Sequence, residues 1–276
     1  MPPEFKLKIA LIGACFYLPV SDFEKKSDTF IEKLGIGYEI TQHFVLMRES
    51  KDLSGQTEFI AQKWRVFNGS ALDFSAYSAP NISSSADIYI YYNDTLFIKH
   101  PWKLLVNRIS KILSALKTSN FPAGLGVIHP TTLFLMKDEN NPYRRHMQTF
   151  CFALNQSAQN EFIKILKTIP VDSSTEMRDW IRKKIIKYPA LGKILHFHLF
   201  SSNNPWSWRP LNSSSRDENK ESLLLKKAIS VALEYELSAT IINENGIILP
   251  LNWDDKYKLH MKLANFCSKF RGTISN

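Results

Sequence analysis

The first apolar run, residues 8–17, holds Ile9, Ala10, Leu11 and Ile12 in succession and predicts a buried opening strand. Phe23, Phe30 and Leu34 then recur on one side of residues 22–34, the spacing of a helix. Residues 38–47 alternate in part and predict a second strand, and residues 60–67 a third, closed by the turn dipeptide Asn68-Gly69. The strongest strand pattern is residues 87–92, where Ile88, Tyr89, Ile90, Tyr91 and Tyr92 are all β-formers. The clearest helix is residues 102–117. Trp102, Leu105, Val106, Ile109, Ile112, Leu113 and Leu116 share a face, Lys103, Arg108, Lys111 and Lys117 lie off it, and Pro101 suits the start.

An extended run over 126–136, a strand over 148–154 and a helix over 160–168 follow. Strand and helix alternating through residue 168 predict an α/β fold with a mainly parallel sheet flanked by helices. The remainder reads as helical, over 173–188 and 221–237, with a polar surface loop at 213–220 between. Without a repeat or a linker, the simplest partition is a single domain of residues 1–276. In it, 1–170 supply the sheet and 171–276 a helical C-terminal part.

Composition narrows the class. At 276 residues, 44% hydrophobic and 22% charged, the chain belongs with globular proteins. Cys15, Cys151 and Cys267 are odd in number and far apart, which argues against a disulfide framework and for small buried thiols in a reducing compartment. No run approaches the roughly 20 apolar residues of a membrane span. Lys6 and Lys8 before a short β-like segment make a poor signal peptide, so the cytoplasm is the expected compartment. A net charge of +9 and a pI of about 9.3 favour anionic partners without choosing among them.

Candidate chemistry concentrates in a few segments. Asn93-Asp94-Thr95 ends the strongest strand, where an open α/β sheet holds ligands. A carboxylate there suits a divalent cation bridging a diphosphate, or an ordinary turn. In the segment 68–77, Gly69 has conformational freedom, while Ser70 and Asp73 bring polar groups to the end of the third strand. Such a loop suits a ribose or base, and Asp73 equally suits a helix N-cap. Arg144 and Arg145 can donate bidentate bonds to diphosphate oxygens, and His146 can be a base or a ligand; a solvated turn and a satisfied histidine are the plainer alternative. His196 and His198 are expected on a strand, pointing to one side, without further metal ligands nearby. Gly124 and Gly126 suggest a close backbone approach just before His129. Arg178, Arg182, Lys183, Lys184 and Lys187 flank Trp180, Ile181, Ile185 and Ile186 in a basic amphipathic helix, which suits anionic lipid or a solvated surface.

Four stretches, in order, carry a resemblance. They are Leu72-Asp73-Phe74-Ser75-Ala76-Tyr77, Tyr92-Asn93-Asp94-Thr95-Leu96-Phe97, His146-Met147-Gln148-Thr149-Phe150-Cys151-Phe152 and Glu234-Tyr235-Glu236-Leu237-Ser238. Together they resemble the rhamnan-synthesis-type glycosyltransferases of bacterial surface polysaccharide assembly, over about residues 65–240. Ser75 and Tyr77 depart from the family's usual Gly or Trp, and the loop after Gly126 lacks its tryptophan-glycine pair.

The resemblance implies a GT-A-like, Rossmann-like sheet that binds a nucleotide-sugar donor at its strands' carboxyl ends. It implies that Gly13, Asn68, Gly69, Asp73, Asn93, Asp94, Arg144 and Arg145 contact the nucleotide. Asp94 would hold a divalent cation, manganese or magnesium. Asp94, His146 and Asp73 form the expected catalytic set, and Asp73, Asp138 and His146 are the candidate bases. Glu236 is expected to orient the C-terminal helix through a buried hydrogen bond. The implied partners are a nucleotide-sugar and a glycan or lipid-linked acceptor, met at the inner face of the cytoplasmic membrane, with no nucleic acid. A non-catalytic nucleotide- or partner-binding member is the alternative.

Overall fold

A computed structural model describes residues 6–35, 37–47, 58–61, 64–67, 71–78, 86–128, 146–170, 172–200 and 218–252. Among them, eight strands form one sheet. They are β1 (Leu7–Cys15), β2 (Tyr38–Met47), β3 (Glu58–Ala61), β4 (Trp64–Phe67), β5 (Ile88–Asn93), β6 (Ala123–Ile128), β7 (Met147–Asn155) and β8 (Ile247–Pro250). Their order is β3-β4-β2-β1-β5-β7-β6-β8.

The central strands are buried on both faces, which is why they read as unbroken apolar runs. Leu7, Ile9, Leu11 and Cys15 of β1 join Ile88, Ile90 and Tyr92 of β5 on one face. Ala10, Ile12 and Ala14 join Tyr89 and Tyr91 on the other. Helices α1 (Val20–Leu34) and α4 (Trp102–Thr118) cover the first face through Phe23, Phe30, Leu105, Ile109 and Leu113. On that face Phe23 packs at ring-centroid distances of 5.4–5.8 Å against Phe44, Trp64, Tyr92 and Phe97.

The second face is covered by α2 (Asp73–Ser78), α5 (Gln156–Leu166) and α8 (Glu218–Asn243). A one-turn helix, α3 (Thr95–Lys99), links β5 to α4. Helices α6 (Ser174–Lys187) and α7 (Pro189–Phe200) build a third apolar cluster against the far side of α8. Helix α8 therefore buries residues on both flanks: Ile229, Leu233 and Leu237 toward the sheet, Val231, Ala232 and Tyr235 toward α7. None of the described helices is long and apolar enough to cross a membrane.

Three expectations change. The sheet is mixed: β1–β2, β1–β5, β2–β4 and β6–β8 pair parallel, while β3–β4, β5–β7 and β6–β7 pair antiparallel. A strand buried on both faces shows the same apolar run in either direction, so its pattern carries no orientation. The predicted third strand, 60–67, falls on two strands, β3 and β4, an antiparallel pair with a register shift between Phe59 and Ala61. The C-terminal part also contributes β8, which sits beside β6 and completes the sheet. Predicted strand 126–136 is described only as β6, since residues 129–145 lie outside the described set.

Candidate active site

The parallel strands β1, β2, β4 and β5 all end on one edge of the sheet, and antiparallel β7 begins there. The chain leaves β1 to build β2 on one side and later adds β5 on the other, so the winding reverses between β1 and β5. Open α/β sheets take ligands outside the carboxyl ends at such a reversal. Asp73, Asn93, Asp94 and His146 all come to this edge.

The loop from β1 to α1 supplies three consecutive backbone donors. Phe16 N–H at 2.8 Å, Leu18 N–H at 2.9 Å and Tyr17 N–H between them all donate to Asp94 Oδ2. Successive N–H groups aimed at one point make an anion-binding concavity, and here the anion is the chain's own carboxylate. Asp94 N–H in turn donates to Ala14 O at 3.1 Å. The remaining oxygen, Oδ1, is buried and has no hydrogen-bond partner among the described residues, and Asp94 as a whole is 0% exposed.

Asp94 therefore holds the β1–α1 loop through Oδ2, a role the sequence reading did not assign beside the catalytic and metal-binding ones expected of it. Among the described residues no group of three or more His, Cys, Asp or Glu is placed to hold a metal. Gly13 changes role too. A Cβ there would meet the rings of Phe23 at 2.9 Å and of Phe44 and Tyr92 at 3.0 Å, so the glycine lets three aromatics close over the strand.

Asn93 is a clasp. Its Nδ2 donates to Asp73 Oδ2 at 2.8 Å, and its Oδ1 accepts from Thr95 N–H at 3.0 Å. The residue before Asp73, Leu72, takes a φ of 46°, a left-handed conformation uncommon outside glycine and frequent where side chains are aimed for function. Ser75 Oγ accepts from Ala71 N–H at 2.8 Å and holds this turn. Asp73 keeps part of its surface open. Burial holds its carboxyl above the usual range; Lys227 and the Asn93 bond oppose the shift and the Asp94 charge adds to it.

Helix α8 brings the groups that the sequence reading missed. Glu234 Oε1 accepts from Thr149 N–H at 3.0 Å, while Thr149 O accepts from Tyr77 O–H at 2.9 Å. Pairing of β7 with β5 stops at Tyr92↔Cys151, and the β6–β7 register shifts between Gly126 and Ile128. Side chains from α2 and α8 thus complete the backbone of a locally irregular strand start, where irregularities commonly flank active sites. Burial pushes Glu234 up to about 7, against the pull of Lys227 and the Thr149 N–H and with the push of Asp73. Like Glu234, Lys227 is half-buried. Lys227, Glu234 and Ser238 recur at spacings of seven and four on a helix otherwise buried through apolar residues, which was the readable signal.

His146 is 1% exposed and stacked on Tyr235, ring centroids 4.0 Å apart. Next to it Met147 N–H donates to Ser238 Oγ at 2.9 Å, tying β7 to α8. The His146 ring thus packs against α8 through Tyr235. His196 and His198 lie on α7, not on a strand, and two residues apart on a helix they diverge: His196 is exposed, while His198 Nε2 lies 3.0 Å from Tyr235 Oη. Glu236 pairs with Lys184 of α6, Nζ to Oε2 2.6 Å, a part-buried bond that ties α8 to α6, while Glu234 makes the bond to β7. The close approach at Gly124 and Gly126 is to the Met147 side chain. Cys15 and Cys151 are buried thiols, both pushed up to about 12 by burial first. Asn68, Gly69, Asp138, Arg144 and Arg145 lie outside the described residues.

What meets at the β1/β5 reversal is a carboxyl that changes charge near neutrality, a second carboxyl held by an asparagine, a lysine that feels both, and the exposed ring of Tyr17. Burial raises the Tyr17 phenol first, and the charges of Asp73 and Asp94 raise it further. No family model, curated protein or solved structure matches the chain.

Proposed function

We propose that the chain is a glycosyltransferase with a GT-A-like sheet, moving a sugar from a nucleotide-sugar donor to a hydroxyl of a surface polysaccharide or lipid-linked glycan. One observation carries this reading: two partly open carboxyls, Asp73 held by Asn93 at 2.8 Å and Glu234 held by Thr149 N–H at 3.0 Å, sit at the carboxyl edge of the sheet, and burial raises both. Raised carboxyls at the ligand end of an α/β sheet are a physical mark of acid–base sites. Tyr17 offers an exposed ring for a nucleobase, and Asp73 accepts hydrogen bonds from ribose hydroxyls.

In the transfer, the acceptor oxygen bonds the anomeric carbon as its proton passes to the Glu234 carboxylate. The bond from the sugar to the diphosphate breaks, its electron pair leaves with the diphosphate, and Lys227 faces the departing negative charge.

The test is thermal stabilisation by UDP, dTDP, GDP and CMP, each with and without manganese or magnesium, followed by turnover of the sugar conjugate of whichever nucleotide binds. Wild type should gain midpoint with one nucleotide by mass action. Glu234→Gln should keep that gain while turnover falls about 10²- to 10⁴-fold, the share of a positioned base. A nucleotide that binds without any turnover would leave a non-catalytic nucleotide-binding protein. No shift with any of them would sink the proposal.

A further inference from the structure

Helix α6 has two opposite stripes. Met177, Trp180, Ile181 and Ile185 pack inward against α8 and α7, and Lys184 pairs with Glu236 on the same side. Asp179, Arg182, Lys183, Ile186 and Lys187 recur at helical spacing on the outside and are all exposed. In the middle of that outer stripe, Ile186 has 73% of its surface in water. The outer side carries three cations against two carboxylates, Glu176 and Asp179, the latter 3.8 Å from Arg182. The following helix adds exposed Lys193 and, at 46% exposure, Phe200.

We propose that this outer stripe of α6 docks the protein on an anionic lipid surface, with Ile186 entering the headgroup layer and Arg182, Lys183 and Lys187 meeting lipid phosphates. The chemistry favours lipid over an acidic protein. Protein interfaces deplete lysine and bury aromatic and arginine anchors, whereas a bilayer needs no shape match and accepts flexible lysine stems around one inserted aliphatic group. The net charge of +9 acts in the same direction at longer range. This inference stands on residues remote from Glu234 and Asp73, so it can fail or hold independently of the transferase reading.

Sedimentation with vesicles of phosphatidylcholine, with and without phosphatidylglycerol, tests it on the full chain. Wild type should sediment only with phosphatidylglycerol and less as salt rises. Lys183→Glu with Lys187→Glu should weaken binding by at least about twentyfold, taking about fivefold per cation. Ile186→Ser should weaken it by about fivefold to tenfold through the lost apolar contact. All three positions are exposed, so thermal midpoints should stay unchanged, which separates lost docking from lost folding. The same charge change on α1, Lys25→Glu with Lys26→Glu, should leave binding nearly intact. The proposal is overturned if wild type does not sediment, if the α1 variant loses as much as the α6 variant, or if polyglutamate competes the vesicles away.

Discussion

The two edges of the sheet both gather polar side chains, but they treat them in opposite ways. At the amino edge, Asn155 uses its whole amide: Oδ1 accepts from Ala123 and Ala158 N–H, each at 3.0 Å, and Nδ2 donates to Ser119 O and Phe121 O. Asp87 there accepts from Lys8 N–H at 2.9 Å and pairs with Lys117 at 3.1 Å. An open depression of about 470 Å³ lies over these residues. At the carboxyl edge, by contrast, Asp94 keeps a buried oxygen without a partner among the described residues, and Asp73 and Glu234 are both pushed toward their protonated forms. Hydrogen bonds that close on themselves hold the fold. Charge left incompletely answered is what can act on a ligand.

Breaking the clasp at the carboxyl edge should have the largest effect. Asp94→Ala removes the acceptor of three backbone donors and should lower unfolding free energy by about 3 kcal/mol or more in urea titration. A loss below about 1 kcal/mol would show that other groups hold the β1–α1 loop. At the amino edge, Asn155→Ala removes the α5 N-cap bond together with three further bonds. It should lower stability by about 2 kcal/mol while leaving any nucleotide-induced midpoint shift unchanged. A lost shift would place the ligand at the wrong edge.

The smallest effect sharpens the contrast. Glu234 moves from the ordinary 4.5 to about 7, so the folded chain keeps a proton that the unfolded chain has released between those values. Stability must then fall as pH rises through that window. With Glu234 part-exposed, the fall between pH 5 and 8 should be about 1–2 kcal/mol. Glu234→Gln retains an acceptor for Thr149 N–H and should flatten that portion of the profile. An unchanged slope would remove Glu234 from the titrating pair.

Much of this edge was legible residue by residue. Strand β5 ends in Asn93-Asp94-Thr95 as its alternation implied, and Asp73 and Asn93 do meet, at 2.8 Å, although 20 residues separate them. What the sequence did not show is which groups each of these residues touches. Asp94 looks open in a sequence because the three N–H groups that occupy it come from residues 76–78 positions away. Gly13 looks like a phosphate-loop glycine until Phe23, Phe44 and Tyr92 close over it. His196 and His198 looked like a strand pair because leucine, phenylalanine and histidine alternate there, while the helical packing of Leu191, Ile194, Leu195 and Leu199 decides otherwise.

By itself the sequence determined the elements with the strongest periods, β1, β5, α1 and α4, because two-residue and 3.6-residue apolar periods are local; it did not determine α7 or β8. It also determined that polar groups end the strongest strand and that α6 carries a basic outer stripe. The tertiary structure alone decided the antiparallel course of β7, since a doubly buried strand reads alike in both directions. It alone decided which carboxylate is spent on the backbone and which stays available. Hydrogen-bond satisfaction and burial are properties of neighbours brought together across the whole chain, and in the sequence Asp94 and Glu234 are simply two acids 140 positions apart.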